Sequence, residues 1–197
     1  MTRLLQSLAR TSILQYPVFV KHTTDEVPDF RLSVGECRVG VELTKIGFQD
    51  VEHGRALQER GLRRTLSVSS LYPRREGPRR RADVVAEGFG LPAMVFPQSI
   101  EEEERAWMMQ AKGSLEAKTA VVARKDFAHG DEDWLVLGDA VGVDRSGFEG
   151  RRSGLGQLLA SFWRPGWFSR VFVQDSYFRW QAMFTPGDWV LLPGWAA

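Results

Sequence analysis

The chain has 197 residues, 43% hydrophobic and 26% charged, with a formal net charge of +1 at pH 7, which is the balance of an ordinary globular protein and argues neither for nor against a nucleic-acid partner. A single cysteine, Cys37, excludes an internal disulfide framework and suits a reducing, cytoplasmic setting. No apolar run approaches the ~18 residues of a membrane span, and the polar interruptions after Arg3 are unlike a signal peptide.

In chain order, Leu4, Leu5, Leu8 and Ile13 recur at roughly helical spacing, which predicts an amphipathic helix over 2–15, ending before Pro17. Pro28 opens an extended segment in which Phe30, Leu32 and Val34 alternate as strand residues do. Gly35-Glu36 supplies a turn. Val39, Val41 and Leu43 then continue on a second strand, with Arg38, Gly40, Glu42 and Thr44 on its other face. Residues 49–60 permit a helix closed by Gly61, and TLSVSSLY over 65–72 predicts a third strand. A basic loop, PRREGPRRR, spans 73–81, and 82–97 carry no clear pattern.

Ser99 and Glu102 are placed as a capping box for a long helix. Its apolar positions run through Trp107, Met108, Leu115, Val121 and Val122, and Gly113 is a place for a kink or a break. WLVLGD over 134–139 predicts a buried strand, Leu155 to Phe162 a short helix, and VFVQD over 171–175 a further strand. Pro186-Gly187 predicts a turn before the last strand. Without internal repeats or a low-complexity linker, residues 1–197 read as one domain, with a core over about 1–140 and a Trp-rich extension over about 141–197.

Two residues in the hairpin stand out. Carboxylates are poor strand formers and costly to bury unpaired, yet Asp29 heads one strand and Glu42 lies inside the next. Either they sit on the wet face, with Glu42 beside Arg38 in an exposed pair worth under about 1 kcal/mol, or they sit together and hold a cation.

The order helix, strand, strand, strand, helix, strand, with Pro28-Asp29 at the first strand and Glu42 of VELTK in the second, resembles the αβββαβ core of the restriction-endonuclease-like fold, the PD-(D/E)xK phosphodiesterase superfamily. The resemblance covers roughly residues 1–140. It implies an α/β fold with a mixed sheet flanked by helices, a Mg²⁺ (or Mn²⁺) ion on Asp29 and Glu42, and metal-dependent hydrolysis of nucleic acid. The superfamily's lysine stands two residues after the acid. Here that position is Thr44, and Lys45 comes one later, pointing away from Glu42 unless a bulge re-aims it. In some members the lysine function migrates to the following helix, where Lys118 is the candidate by position. The implied catalytic set is therefore Asp29, Glu42, Thr44, Lys45 and Lys118. Thr44 is equally at home as an ordinary strand residue, and Lys118 as a solvated helix lysine.

The chemistry explains why such residues would be needed. Two carboxylates suit Mg²⁺, a hard cation that takes oxygen ligands and keeps several waters. The bound ion lowers the pKa of a water and draws charge off the phosphate, and a lysine orients that water or stabilises the transition state. Residues 1–15 contain no acid that could add a ligand from the first helix.

Arg74, Arg75, Arg79, Arg80 and Arg81 can each neutralise a phosphate, or simply solvate a loop. Their place after the third predicted strand assigns them to nucleic acid, DNA ahead of RNA. Trp163, Trp167, Trp180, Trp189 and Trp195 crowd the C-terminal end. They suit a small core or an interface, with a second copy or a protein partner, better than base stacking. His22, His53 and His129 lack metal-ligand spacing, though His22 and His53 flank the motif strands. Three functions stay open: a metal-dependent nuclease, a catalytically inactive nucleic-acid-binding or scaffold protein of the same fold, and an interaction protein docking through the Trp-rich end.

Overall fold

Alternating apolar residues on short strands build the centre of the molecule. The computed structural model describes residues 2–11, 13–14, 17–23, 27–46, 100–139, 145–175 and 181–192. Its elements are α1 (Thr2–Arg10), β1 (Val18–His22), β2 (Phe30–Val34), β3 (Cys37–Ile46), α2 (Ile100–Val122), β4 (Glu132–Asp139), α3 (Arg145–Ala160), β5 (Arg170–Asp175), β6 (Gln181–Thr185) and β7 (Asp188–Leu192). Residues Met1–Ile46 and Lys112–Ala197 make one compact unit. Gly47–Ala111 make a second, of which the described part is 100–111 of α2. The predicted helix over 49–60, the strand over 65–72 and the arginine loop over 73–81 lie outside the described residues.

The seven strands form one mixed α/β sheet in the order β1-β2-β3-β4-β5-β6-β7. β3, β4 and β5 are parallel, and antiparallel pairs extend the sheet on either side. Parallel neighbours require a crossover; α2 lies on the path from β3 to β4, and α3 on the path from β4 to β5. The strands predicted from Phe30 to Leu43 are thus the second and third. β1 precedes them, and its burial is too shallow at an edge to leave a pattern in the sequence.

Both faces of the sheet bury apolar residues: Leu135, Leu137, Val171 and Val173 lie on one, and α1 covers the other. Leu4, Leu5 and Leu8 of α1 pack with Leu32, Val39, Val41, Trp134, Val136, Phe172 and Leu192. Residues from both ends of the chain therefore share a single core, and the Trp-rich segment extends the sheet through β5, β6 and β7. α1 ends at Arg10, short of the predicted 15. The Thr11 hydroxyl donates to the Leu8 carbonyl at 2.9 Å, and the Ile13 and Leu14 amides converge on the same oxygen at 3.1 and 3.2 Å. Such local bonds turn the chain out of the helix, and Leu14 enters the core from the turn.

α2 runs unbroken through Gly113. A mid-helix glycine costs about 1 kcal/mol, and the buried Trp107, Ala111, Leu115 and Val122 outweigh it. α3 begins ten residues before the predicted Leu155, in a glycine-rich stretch of low helix propensity. Leu155 and Leu159, both fully buried, supply the tertiary packing that propensity alone does not signal. The predicted turn at Pro186-Gly187 joins β6 to β7, with Gly187 at φ 88°. Among the described residues no helix is long and apolar enough to cross a membrane.

Leu8→Ala, at a fully buried position, is expected to lower the unfolding free energy by about 2–5 kcal/mol. Phe19→Ala, on an exposed edge strand, should change it by less than about 0.5 kcal/mol. Urea denaturation of both variants checks the assignment of core and surface.

Candidate active site

The β2–β3 register pairs Phe30 with Val41, so one step further along Asp29 stands beside Glu42. The approach to β2 is tied down by backbone and side-chain bonds. The Thr23 amide donates to the Asp29 carbonyl at 3.0 Å, the Thr23 hydroxyl donates to the Pro28 carbonyl, and the Leu43 amide donates to Asp29 Oδ2 at 2.8 Å. Glu42 does not face solvent beside Arg38. It is 1% exposed, while Arg38 lies outside, its Nε 3.7 Å from Asp131 Oδ2. The wet-face reading of Glu42 is overturned, because alternation turns Val39, Val41 and Leu43 into the core and Glu42 toward the layer on the opposite face.

Lys118 of α2 meets the pair there. Its ammonium bonds to Glu42 Oε2 and lies 3.8 Å from Asp29 Oδ2. One nitrogen thus forms an ion pair with each of the two carboxylates. Lys118 is not a solvated helix lysine; its side chain is 18% exposed. Two contacts set the height of α2 over β3. Ser114, one turn before Lys118, donates to the Lys45 carbonyl at 2.9 Å. The next residue, Thr119, accepts the Trp167 indole N–H at 2.9 Å.

The electrostatics follow from burial. Desolvation pushes the Glu42 carboxyl above its ordinary value; the hydrogen bond and charge of Lys118 pull it back, and the neighbouring Asp29 adds to the rise. Glu42 Oε1 is buried with no hydrogen-bond partner, whereas Asp29 is 41% exposed and opens the site to solvent. A buried oxygen lacking a partner beside an accessible carboxylate fits a hard divalent cation. Among the described residues no cluster of three or more His, Cys, Asp or Glu side chains forms, so water would complete the coordination of such an ion, as Mg²⁺ commonly allows.

The other candidates divide. Thr44 shares the face of Glu42 and is half-buried; Lys45 is exposed and one residue out of phase. His22 packs at a tilt against Phe30, with ring centroids 4.9 Å apart, on the face away from Asp29. His53 and Arg74, Arg75, Arg79, Arg80 and Arg81 lie outside the described residues. Trp167 is buried against Trp163 and Phe168, at ring distances of 5.9 and 5.3 Å, so this part of the Trp-rich region is core. A pair that sequence reading missed is His129 with the buried Asp133, Nδ1 to Oδ2 2.5 Å. The run HGDED contains both residues, but nothing in it says that the chain folds back onto β3.

Lys118→Met removes the counter-charge of a buried acid and is expected to cost about 3 kcal/mol at neutral pH. Without Lys118, Glu42 rises further and keeps its proton in the folded state to a higher pH than in the unfolded chain. That stabilising proton is fully present below the unfolded value and lost as pH rises through the folded one. Denaturation in EDTA should therefore show a small deficit against wild type at pH 5 that grows toward pH 8. An equal deficit at both would mean that Lys118 acts by packing alone.

Compared with known proteins, the chain matches no family model, no curated protein and no solved structure.

Proposed function

We propose that the protein is a metal-dependent nuclease, a phosphodiesterase whose Asp29 and Glu42 hold Mg²⁺ or Mn²⁺ and whose lysine comes from α2 as Lys118. The observation that carries this reading is the meeting of three charges from three elements. An acid ahead of β2, an acid inside β3 and a lysine on α2 converge at one nitrogen. The order α1, β1, β2, β3, α2, β4, with β1 to β3 antiparallel and β3 to β4 parallel, supports the restriction-endonuclease-like core. The sequence resemblance supplies the substrate class, and the arginines of residues 74–81 supply the charge that a nucleic-acid substrate calls for.

Bound between the carboxylates, the ion would acidify a coordinated water and withdraw charge from the phosphate. The chain's own groups have distinct tasks. Glu42, buried and held by Lys118, keeps a carboxylate oxygen at a fixed place in the sheet. Asp29, positioned by the Leu43 amide, presents the solvent-facing ligand. Lys118 carries a hydrogen-bond donor and a positive charge to the point where the attacking water and a phosphate oxygen would meet. Thr44, on the same face, stands where the superfamily's usual lysine would.

A second reading has its own support. The Lys118 ammonium already pairs with both acids, which suits an inactive member of the same fold in which an internal ion pair stands in place of the metal.

Incubating the full chain with mixed DNA and RNA substrates separates the two. Wild type should cut with Mg²⁺ or Mn²⁺ and not in EDTA, and Glu42→Ala and Lys118→Ala should each lose at least about a hundredfold in rate. Folded wild type that cuts nothing with either ion sinks the nuclease and leaves the inactive reading.

A further inference from the structure

Among the described residues β1 is an edge strand, and its apolar side chains are left in solvent. Phe19 is 71% exposed and Val20 46%. We propose that this edge pairs with the same edge of a second copy of the chain, antiparallel about a two-fold axis at Val20, so that the two sheets become one. The inference does not rest on the nuclease reading.

Backbone direction comes first. In an antiparallel pair, residues that exchange hydrogen bonds alternate with residues whose N–H and C=O face the other way. The Thr23 amide bonds to the Asp29 carbonyl at 3.0 Å, one step beyond the His22–Phe30 pair of the β1–β2 register. Lys21 and Phe19, in step with Thr23, therefore turn their backbone groups toward β2. Val18, Val20 and His22 turn theirs to the outer edge, where no described strand meets them. Such a row of donors and acceptors is a template for another strand.

With the axis at Val20 the row matches itself. Val20 faces the partner's Val20, Val18 faces the partner's His22, and each outward residue both gives and accepts a bond. Such an axis stands perpendicular to the sheet, so like faces adjoin.

The side chains select the same register. Lys21 is the residue that would ordinarily blunt this edge, and here it stands beside the partner's Phe19, in the closer, non-hydrogen-bonded kind of pair. There its ammonium can lie on the ring. An axis at Lys21 would set lysine against lysine, where like charges repel. An axis at Phe19 would carry His22 past Pro17, beyond the partner strand. On the other face Val20 follows Leu32 and Val39, its neighbours in register on β2 and β3. Both belong to the core under α1, so the meeting of the valines carries the apolar layer through the junction.

An isologous contact closes on itself and stops at two copies. The five residues of β1 fall short of the roughly 20–30 a side of a standard interface, so the dimer should be reversible, with a Kd on the order of tens of micromolar.

Sedimentation velocity of the full chain from about 1 µM to about 1 mM tests the pairing. Wild type should pass from monomer to dimer and no further. Val20→Pro removes an outward N–H and no bond to β2, and should stay monomeric throughout. Phe19→Lys sets lysine against lysine on both sides of the axis and should weaken the dimer at least about tenfold. Adding Lys21→Glu to that variant turns each repulsion into an attraction and should restore the dimer. Urea midpoints at the lowest concentration should match wild type, which separates loss of dimer from loss of fold; if the proline variant fails to fold, the charge exchange alone decides. Wild type that stays monomeric or grows past two copies would overturn the proposal. So would a dimer indifferent to a folded Val20→Pro or to Phe19→Lys, or one that Lys21→Glu does not restore.

Discussion

A carboxylate buried inside a sheet has to be answered by charge, and the rest of this site depends on how Glu42 is answered. Desolvating the acid costs several kcal/mol, and a lysine in contact recovers that cost only with good geometry. The geometry comes from α2, held over β3 by Ser114 on the Lys45 carbonyl and by Trp167 on Thr119. An apolar pair of similar volume would serve stability as well or better. Stability of the fold by itself therefore does not call for these charges.

The sheet divides its labour by parity. On β3 the odd residues Val39, Val41 and Leu43 go to the core with α1, and the even residues Gly40, Glu42 and Thr44 go to the opposite face, toward Lys118. A slip of one residue would exchange the two sets. The register is held by the tight turn at Gly35, with φ 60°, and by the apolar set itself. Site geometry is therefore a by-product of core packing: the same alternation that buries Val41 delivers Glu42 to Lys118, and Gly40 to the space that Asp133 fills.

The C-terminal third is structural support for this arrangement. β5 lies against β4 in parallel, and β6 and β7 widen the sheet so that Phe172 and Leu192 join the core of α1. Trp167 packs among Phe162, Trp163 and Phe168 while its N–H braces α2 beside Lys118. Aromatic residues gathered in sequence here do what aromatics do most often, filling a core and placing one polar contact at its margin.

Local rules carried much of the molecule. Period-two alternation located the hairpin from Phe30 to Leu43, Pro186-Gly187 located the last turn, and apolar periodicity located α2, because backbone geometry and burial act over a few residues at a time. Asp29 and Glu42 were legible as candidates for the same reason: an acid inside an apolar strand conflicts with its surroundings wherever it is placed. Other features answered only to distant partners. β1, an exposed edge strand, leaves no burial pattern; α3 forms across glycines because Leu155 and Leu159 are buried; and α1 stops where Thr11 takes the Leu8 carbonyl. Which lysine serves the acids was likewise beyond local reach. Lys45, three residues from Glu42, lies one step out of phase, while Lys118, 76 residues away, reaches it. The amino-acid sequence by itself determined which groups must not be left alone in the interior; only the tertiary structure decided who answers them, because a helix crossing a sheet brings together side chains that no local periodicity relates.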